Sequence, residues 1–293
     1  MGGLYTPSDG QAEPAKVAPA IRRAAARLGA TFYENRAVLS VETAGGAVSG
    51  VVTESGEIET GTVICAAGAW SGRLARTMGL FLPQIWVRAT VARTTPAKAM
   101  TPAGVWAGLA FRQLRDGSFN IASGTGTDHD ITLESLQNFR PFLPSYRKNR
   151  GLVTPRLGKA FLDHLPGRLS RAAQGREYTR MRTLDPPPNP TRVANALQTL
   201  RQTFPDMGAV SVVRSWAGYI DFTPDMLPVI DGLANPSGFI FATGFSGHGF
   251  GMGPIAGRLA AELALDGQAS MDIHPFRFAR FSDGTRLETR NVI

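Results

Sequence analysis

The sequence predicts an α/β fold, α+β overall, with about two domains. Three observations predict it: short β-like segments alternate with a few amphipathic helices, strands dominate the middle of the chain, and a glycine-rich stretch joins an apolar strand directly to a helix near the C-terminal end. A chain of 293 residues with 43% hydrophobic content is long enough to bury a sizeable core. We therefore expect a folded globular protein.

The first eighty residues predict one helix and a set of short strands. Between Pro14 and Leu28, apolar residues recur at helical spacing on one face and arginines occupy the other, so this helix should pack on a sheet. A short helix is predicted after Trp70 and ends at Gly79. Strands, separated by the turns AGGAV and SGEIETG, are predicted at Ala37–Val41, Ala47–Thr53 and Thr62–Ala66.

Strands dominate the region that begins at Pro83. They are predicted at Trp86–Arg93, Val105–Arg112, Ser118–Ser123 and Ala209–Trp216, with helices at Leu133–Asn149, Pro155–His164 and Arg192–Phe204. The string GTGTD at Gly124–Asp128 predicts a hairpin turn. The segment Thr183–Pro190 contains DPPPNP and predicts a stiff extended linker, because proline lacks the N–H that helices and sheets need. From Leu227 onward the chain is expected to return to the first domain.

The glycine-rich stretch FIFATGFSGHGFGMGPIAG is the strongest signal of a binding site. A short buried strand at Phe239–Ala242 runs into alternating glycines, and Pro254 suits the first turn of a helix that ends at Asp266 and Gly267. The helix therefore starts inside the glycine cluster, where unpaired amides and the positive end of its dipole would face an anion or an electron-rich carbonyl. The alternative interpretation is a tight strand-to-helix turn. The glycines are Gly244, Gly247, Gly249, Gly251 and Gly253.

Several strings together resemble the D-amino-acid oxidase family, which includes glycine and sarcosine oxidases and the D-amino-acid dehydrogenases. GFSGHGFGMGPIAG, with TPDMLPVID before it and FRFARF after it, is similar to the family's C-terminal flavin-binding signature. GGLYTPSDGQAEP and TVICAAGAWSGRLARTMG agree as well, so ordered matches run from Gly2 to Phe281. The resemblance implies a partial FAD-binding Rossmann-like domain at 1–82 and 223–293, and a mainly antiparallel, substrate-binding domain with helices at 83–222.

One part of the family pattern is missing from the sequence. Family members open with a strand, a GxGxxG turn and a helix, which hold the pyrophosphate and ribose of the dinucleotide. No such turn occurs in this chain. We therefore expect that the family's N-terminal segment, or a partner subunit in its place, would be needed to complete the cofactor site. An alternative is a non-catalytic remnant or partner subunit that does not hold FAD alone.

The resemblance also implies which residues meet FAD. Val38 would lie against the adenine, and the AAGAW string would lie close to the dinucleotide, although simple strand–helix packing is the other interpretation of that string. His248 would either donate a hydrogen bond to the flavin or brace its loop. The implied cofactor residues are Val38, Ala66, Ala67, Gly68, Trp70, Gly247, His248, Gly249, Phe250, Gly251 and Met252.

The implied reaction is oxidation of a C–N bond in a small amino acid or amine, by hydride transfer to flavin N5. The electron acceptor would be oxygen, a quinone or a carrier flavoprotein. A bidentate arginine usually anchors the substrate carboxylate in this family, but Ile220 occupies the matching place, and Gly251 occupies the place of the sarcosine oxidase lysine. Arg88 and Arg112 are the remaining anchor candidates, with Tyr219 as an aromatic wall; the alternative interpretation of each, as an ordinary surface or core residue, is favoured.

Composition and motifs argue against other classes of function. The net charge of +8 is scattered rather than clustered, so nucleic-acid binding is not expected. The four histidines lack metal-ligand spacing, and DHD at Asp128–Asp130 is interpreted as a solvated turn. GFSGH does not match the GxSxG nucleophile elbow of hydrolases. The single cysteine, Cys65, is interpreted as a buried hydrophobe, and with no membrane span predicted we expect a cytoplasmic protein.

Overall fold

The computed structural model describes residues 5–8, 10–98, 103–106, 108–124, 126–163, 179 and 181–288. Its helices are α1 Pro14–Arg27, α2 Ser71–Thr77, α3 Leu133–Gln137, α4 Phe139–Lys148, α5 Lys159–Asp163, α6 Pro190–Thr203 and α7 Gly249–Asp266. Its strands are β1 Val38–Ala44, β2 Ala47–Thr53, β3 Gly56–Glu59, β4 Val63–Cys65, β5 Ile85–Thr94, β6 Ala103–Trp106, β7 Leu109–Gln113, β8 Phe119–Ser123, β9 Thr127–Asp130, β10 Val153–Arg156, β11 Val212–Phe222, β12 Val229–Gly232 and β13 Phe239–Thr243.

The strands form three sheets. β1, β2 and β3 make an antiparallel sheet, and β12, β13 and β4 make a small mixed sheet in which β13 is parallel to β4. The large sheet has seven strands, with β5 at its centre: β11 pairs with β5 along its length on one edge, and β8 and β9 pair with its other edge. The expected α/β class with a mainly antiparallel main sheet is confirmed.

Apolar side chains bury both faces of β13, the middle strand of the small sheet. Phe239 and Phe241 of β13 pack with Cys65 and with Leu74 and Ala75 of α2, while Ile240 and Ala242 point to α7. A strand covered on both faces reads as a continuous apolar run rather than an alternating one, as FIFAT does. In the large sheet, α6 covers one face through a core formed by Ala92, Leu109, Phe111, Phe119, Ile121, Ala196 and Leu200.

Three predicted segments of the middle region are divided differently in the structure. The strand expected at Val105–Arg112 is a hairpin of β6 and β7, because the chain reverses around Gly108, whose φ is 78°. The helix expected at Leu133–Asn149 is two helices, because Asn138 leaves the helical path and its side chain donates to the carbonyl of Gln84. Pro155 lies in the edge strand β10 instead of starting a helix, where proline removes no ladder bond that a neighbour needs; His164 lies outside the described residues.

The GTGTD string does not form the expected hairpin. β8 and β9 both run antiparallel to β5 on the same edge, so these two strands run in the same direction and do not form a hairpin with each other. Gly126, at φ 150°, lies directly against the carbonyl of Leu152. Asp128 and Asp130, expected in a solvated turn, are buried in β9, because Arg192 and Arg156 neutralise Asp128.

Other expectations near the two ends of the chain also change. Helix α1 has no buried residue, so the expected packing of this helix on a sheet is wrong within the described structure. The turn SGEIETG contains β3, and α7 begins at Gly249, more than one turn before Pro254. Two other segments agree with the sequence-based expectations. Thr183–Pro190 is irregular until Pro190, where α6 begins, and β13 leads directly into the glycine loop.

Candidate functional site

The candidate site lies where the parallel strands β4 and β13 end. Because parallel strands have their carboxyl ends at one edge of a sheet, the AAGAW turn after β4 and the glycine loop after β13 lie side by side. Thr243 ties them together: its Oγ1 lies within hydrogen-bonding distance of Ser71 Oγ, at 2.8 Å, and of the carbonyl oxygen of Gly68, at 3.3 Å. The structure therefore brings together the two segments that the sequence singled out.

The glycine loop, residues 244–253, presents its backbone to the surroundings. Ser246 and Gly247 have φ values of 51° and 95°, which turn the chain sharply from β13 into α7. His248 is the N-cap residue of α7 but caps it with no side-chain hydrogen bond, so the first amides of the helix have no partner from that side chain. Gly247, His248, Phe250 and Gly251 are exposed, and a Cβ at Gly251 or Gly253 would meet no described atom within 4 Å. The loop is open, not closed against its own chain.

A cavity of about 570 Å³ lies beside the AAGAW turn. Val38 contributes one wall, and Ala66, Ala67 and Trp70 contribute another. The remaining lining residues are Asn35, Arg36, Ala37, Val51, Val63, Ile64, Cys65, Leu74, Met181, Arg182 and Thr183. A volume of this size with a largely apolar wall and backbone groups at its edge suits a small-molecule group such as an adenosine. Gly68, at φ 51°, has open space over its α-carbon, and its carbonyl oxygen lies 3.3 Å from Thr243 Oγ1, immediately before the glycine loop.

Asp221 is a residue of the site that sequence reasoning missed. Its Oδ2 accepts hydrogen bonds from the backbone N–H of Gly244 at 2.8 Å, from Gln84 Nε2 at 3.2 Å and from Thr243 Oγ1 at 3.2 Å. Burial raises the pKa of this carboxyl, and the hydrogen bonds from Gly244 and Thr243 partly offset that rise. Asp221 thereby fixes the start of the glycine loop to the end of β11. In the sequence, the one signal for Asp221 is that it directly follows Ile220, which occupies the place of the family's anchoring arginine.

A buried ion pair also holds the segments around the loop. Arg280 donates from Nε and Nη2 to the two carboxylate oxygens of Asp225, at 2.8 and 3.2 Å, and also to the carbonyl of Leu227 at 2.9 Å. Both side chains are almost completely buried. A bidentate arginine–carboxylate pair of this kind fixes geometry as well as charge. It joins the TPDMLPVID and FRFARF strings that flank the glycine loop in the sequence.

The predicted substrate residues lie on two different faces of the large sheet. Arg88 and Tyr219 are opposite each other on β5 and β11 and share one partner, Asp130, at 3.1 and 2.7 Å. This is the face that α6 covers, and Arg88 also donates to the carbonyl of Pro187. Arg112 lies on the opposite face, where its Nη1 donates to the carbonyl of Ala12 at 2.8 Å. The structure does not bring the three together, and their roles stay a prediction.

The described residues do not favour three other kinds of feature: a reactive thiol, a metal-binding cluster and a membrane-spanning helix. Burial raises the pKa of the Cys65 thiol, in keeping with an inert core residue. Among the residues that the structure describes, no three His, Cys, Asp or Glu side chains are grouped so that they could hold a metal ion. None of the described helices is both long and apolar enough to span a bilayer.

Several known proteins are similar to this chain in sequence. Over 284 residues, 96% of this chain, it is 28% identical to D-amino acid dehydrogenase from Paramagnetospirillum magneticum, of which it spans 54%. N-methyl-L-tryptophan oxidase from Salmonella arizonae is 38% identical over 89 residues, 30% of this chain and 23% of the oxidase. The chain thus spans about half the length of the dehydrogenase.

Solved structures share the fold of this chain. L-amino acid deaminase from Proteus myxofaciens superposes with a TM-score of 0.82 at 25% identity, covering 90% of this chain and 60% of the deaminase. L-proline dehydrogenase from P. horikoshii, at 22% identity, shows the same fold with a TM-score of 0.72 over 97% of this chain and 63% of its own. The family model described as FAD dependent oxidoreductase (DAO) matches residues 1–263. The chain belongs to this family of FAD dependent oxidoreductases.

Proposed function

We propose that this chain forms the greater part of an FAD-dependent enzyme that oxidises the C–N bond of a small amino acid or amine. The observation that carries the proposal is the open edge of the small sheet, where the glycine loop and the AAGAW turn lie side by side without filling the space in front of them. A purely structural strand-to-helix junction would not need a run of exposed glycines at that edge.

The residues present fit part of an FAD molecule. The cavity walls formed by Val38, Ala66, Ala67 and Trp70 would take the adenosine part, and Gly68 would lie along the dinucleotide. The loop from Gly247 to Met252, including His248, Gly249, Phe250 and Gly251, would offer its amides and the positive end of the α7 dipole to the flavin carbonyls. When bound, FAD supplies the acceptor for a hydride, at N5.

The protein's own part in the reaction is positioning. Asp221 and Thr243 hold the loop and the AAGAW turn at fixed separation, so that the ring and the substrate carbon would meet in one geometry. The relatives named above act on D-amino acids, N-methyl-L-tryptophan, L-amino acids or L-proline, and all of these place a nitrogen next to the carbon that is oxidised. We propose the same class of substrate for this chain, with oxygen, a quinone or a carrier flavoprotein as the electron acceptor.

We propose that different sheets bind the cofactor and the substrate. Residues 1–82 and 223–293 would hold the cofactor, and residues 83–222, with Arg88, Arg112 and Tyr219 as candidate contacts, would hold the substrate in a cytoplasmic setting.

A flavin titration tests the cofactor assignment: FAD is added to the purified chain, and quenching of flavin fluorescence is followed to saturation. Saturable binding that the loop variant Gly251→Val removes supports the proposal. A complete lack of binding would favour the alternative, a non-catalytic remnant or partner subunit.

A further inference from the structure

Three arginines and an asparagine form a row across four neighbouring strands of the large sheet. Arg214 of β11 is directly opposite Arg93 of β5, Arg93 is opposite Asn120 of β8, and Asn120 is opposite Arg112 of β7. Residues directly opposite each other in antiparallel strands project on the same face. We call these four residues the arginine row.

The arginine row lies on the face of the sheet that α6 leaves uncovered. Ala92, on the other face, is buried under α6, whereas Arg93, Asn120 and Arg112 are partly exposed and Arg214 is exposed. Helix α4 covers this face at the far end, where Val87 and Ile220 pack with Phe142 and Tyr146. The row is therefore accessible within the part of the chain that the structure describes.

None of the three arginines forms a salt bridge with a carboxylate among the described residues, although the pKa of nearby Asp116 is lowered by hydrogen bonds from Ser118 and, to a lesser extent, by the Arg93 charge. Arg93 donates to Asn120 Oδ1, Arg112 donates to the carbonyl of Ala12, and Arg214 lies over the Trp216 ring at 5.7 Å. Asp116, the acid of the adjacent turn, accepts from Ser118. Buried arginines elsewhere differ, since Arg88, Arg192 and Arg280 are each paired with an aspartate. Because the row carries three positive charges and no salt bridge to a described residue, it would attract an anion.

A strip of the sheet face connects the arginine row to the glycine loop, with Ile220 and Trp216 on β11 and small side chains beside them. A Cβ at Gly247 would touch only Ile220, which lies on the same open face of β11 as Gly218, Trp216 and Arg214. Gly218 lies between Ile220 and Trp216 on β11, and a Cβ at Gly218 would meet no described atom within 4 Å. At ~3.3 Å per residue, the distance from Ile220 to Arg214 along β11 is about 20 Å. The floor beside this path consists of Ala89, Val91, Ala110 and Ala122.

We propose that the open face binds an extended amine substrate, whose amine end lies at the glycine loop and whose distant carboxylate or phosphate binds the arginine row. The inference rests on the proposed function, because it places the reacting end beside the loop. It accounts for the absence of an arginine at Ile220, since the anchoring charge lies further along the same strand. It also names a substrate class: amines that carry an anion far from the oxidised carbon.

Equilibrium binding to the chain without FAD tests the inference. Trp216 fluorescence is recorded during titration with 12-aminododecanoate, 12-aminododecyl phosphate, 6-aminohexanoate and dodecylamine, and Trp216→Phe identifies the signal. We expect at least one of the two long anionic amines to bind about tenfold more tightly than 6-aminohexanoate and dodecylamine. The stronger of the two identifies the anion as a carboxylate or a phosphate.

Variants show whether the row itself is responsible. Arg93→Gln and Arg214→Gln should each weaken binding of the long anionic amine about tenfold, leave dodecylamine binding unchanged, and be partly rescued by lysine. Arg115→Gln removes the same charge from the exposed turn beside the row and should change neither affinity. Equal binding of charged and uncharged long amines, an equal effect of Arg115→Gln, or binding of poly-glutamate alone would overturn the inference. Because no FAD is present, such a failure is distinct from a failure of the flavin titration.

Discussion

The carboxylate of Asp221 accepts a 2.8 Å hydrogen bond from the backbone N–H of Gly244. Asp221 is the penultimate residue of β11 in the large sheet, and Gly244 is the first residue after β13 in the small sheet. The carbonyl of Asp221 also accepts from the N–H of Ser246, so one residue holds two successive points of the glycine loop. The loop's position therefore depends on the large sheet, although its sequence neighbours belong to the small one.

Replacing Asp221 with asparagine should change how stability depends on pH. Burial raises the pKa of Asp221 above its ordinary value of 3.8, so the folded protein holds this proton more tightly than the unfolded chain does. The contribution of Asp221 to stability is then fully present below pH 3.8 and declines as pH rises through the folded pKa. We expect urea midpoints to favour Asp221→Asn over the parent more strongly at about pH 7 than at about pH 4. A difference that stays constant with pH would contradict this.

Removing one partner of the buried Asp225–Arg280 pair should destabilise the protein strongly. Arg280→Met leaves the Asp225 carboxylate buried without its guanidinium, which costs about 3–5 kcal/mol. Urea denaturation of both proteins measures the loss. Arg258→Met is the control, since the Arg258 side chain is itself largely exposed and the change there should be small. Equal effects of the two substitutions would show that the buried pair adds nothing.

A substitution at Gly251 should separate stability from cofactor binding. Gly251 lies in the first turn of α7 with open space over its α-carbon, so Gly251→Ala should raise stability by about 0.5–1 kcal/mol through helix propensity. The added methyl group would stand where the flavin approaches, so FAD affinity should fall. Gly257→Ala, also open and within α7, should give the same gain in stability with unchanged FAD affinity. Thermal unfolding and flavin titration check both; equal flavin affinity in the two variants would exclude contact at Gly251.

The chain by itself should bind FAD weakly. It carries no GxGxxG turn whose amides would hold the pyrophosphate, so the cavity and the loop would bind the two ends of the molecule without its centre. After incubation with FAD and gel filtration, we expect little flavin absorbance to remain with the protein. Flavin retained in a one-to-one ratio would disprove the need for that unit.

Local patterns predicted the structure well where one element determines its own environment. The glycine loop, the apolar run of β13 and the proline-rich segment before α6 each follow from residues within a few positions. The patterns failed where a distant segment decides the outcome. Asp128 and Asp130 look like a solvated turn until Arg192, 64 residues later, neutralises Asp128. Asp221 and the arginine row depend on strand register, which hydrophobic alternation restricts but does not specify across strands far apart in the chain.

The parallel pairing of β4 with β13 has a consequence for synthesis of the protein. Thr243 and Gly68 lie 175 residues apart in the chain, yet the small sheet exists only once both have been made. At roughly 5–20 residues per second, the ribosome needs about 10–35 s to deliver the second after the first. The large sheet, whose strands all lie between Gly68 and Thr243 in the sequence, can assemble during that interval. During the same interval, the edge of β4 that will pair with β13 has no partner. A chaperone could bind this edge, or aggregation could begin there.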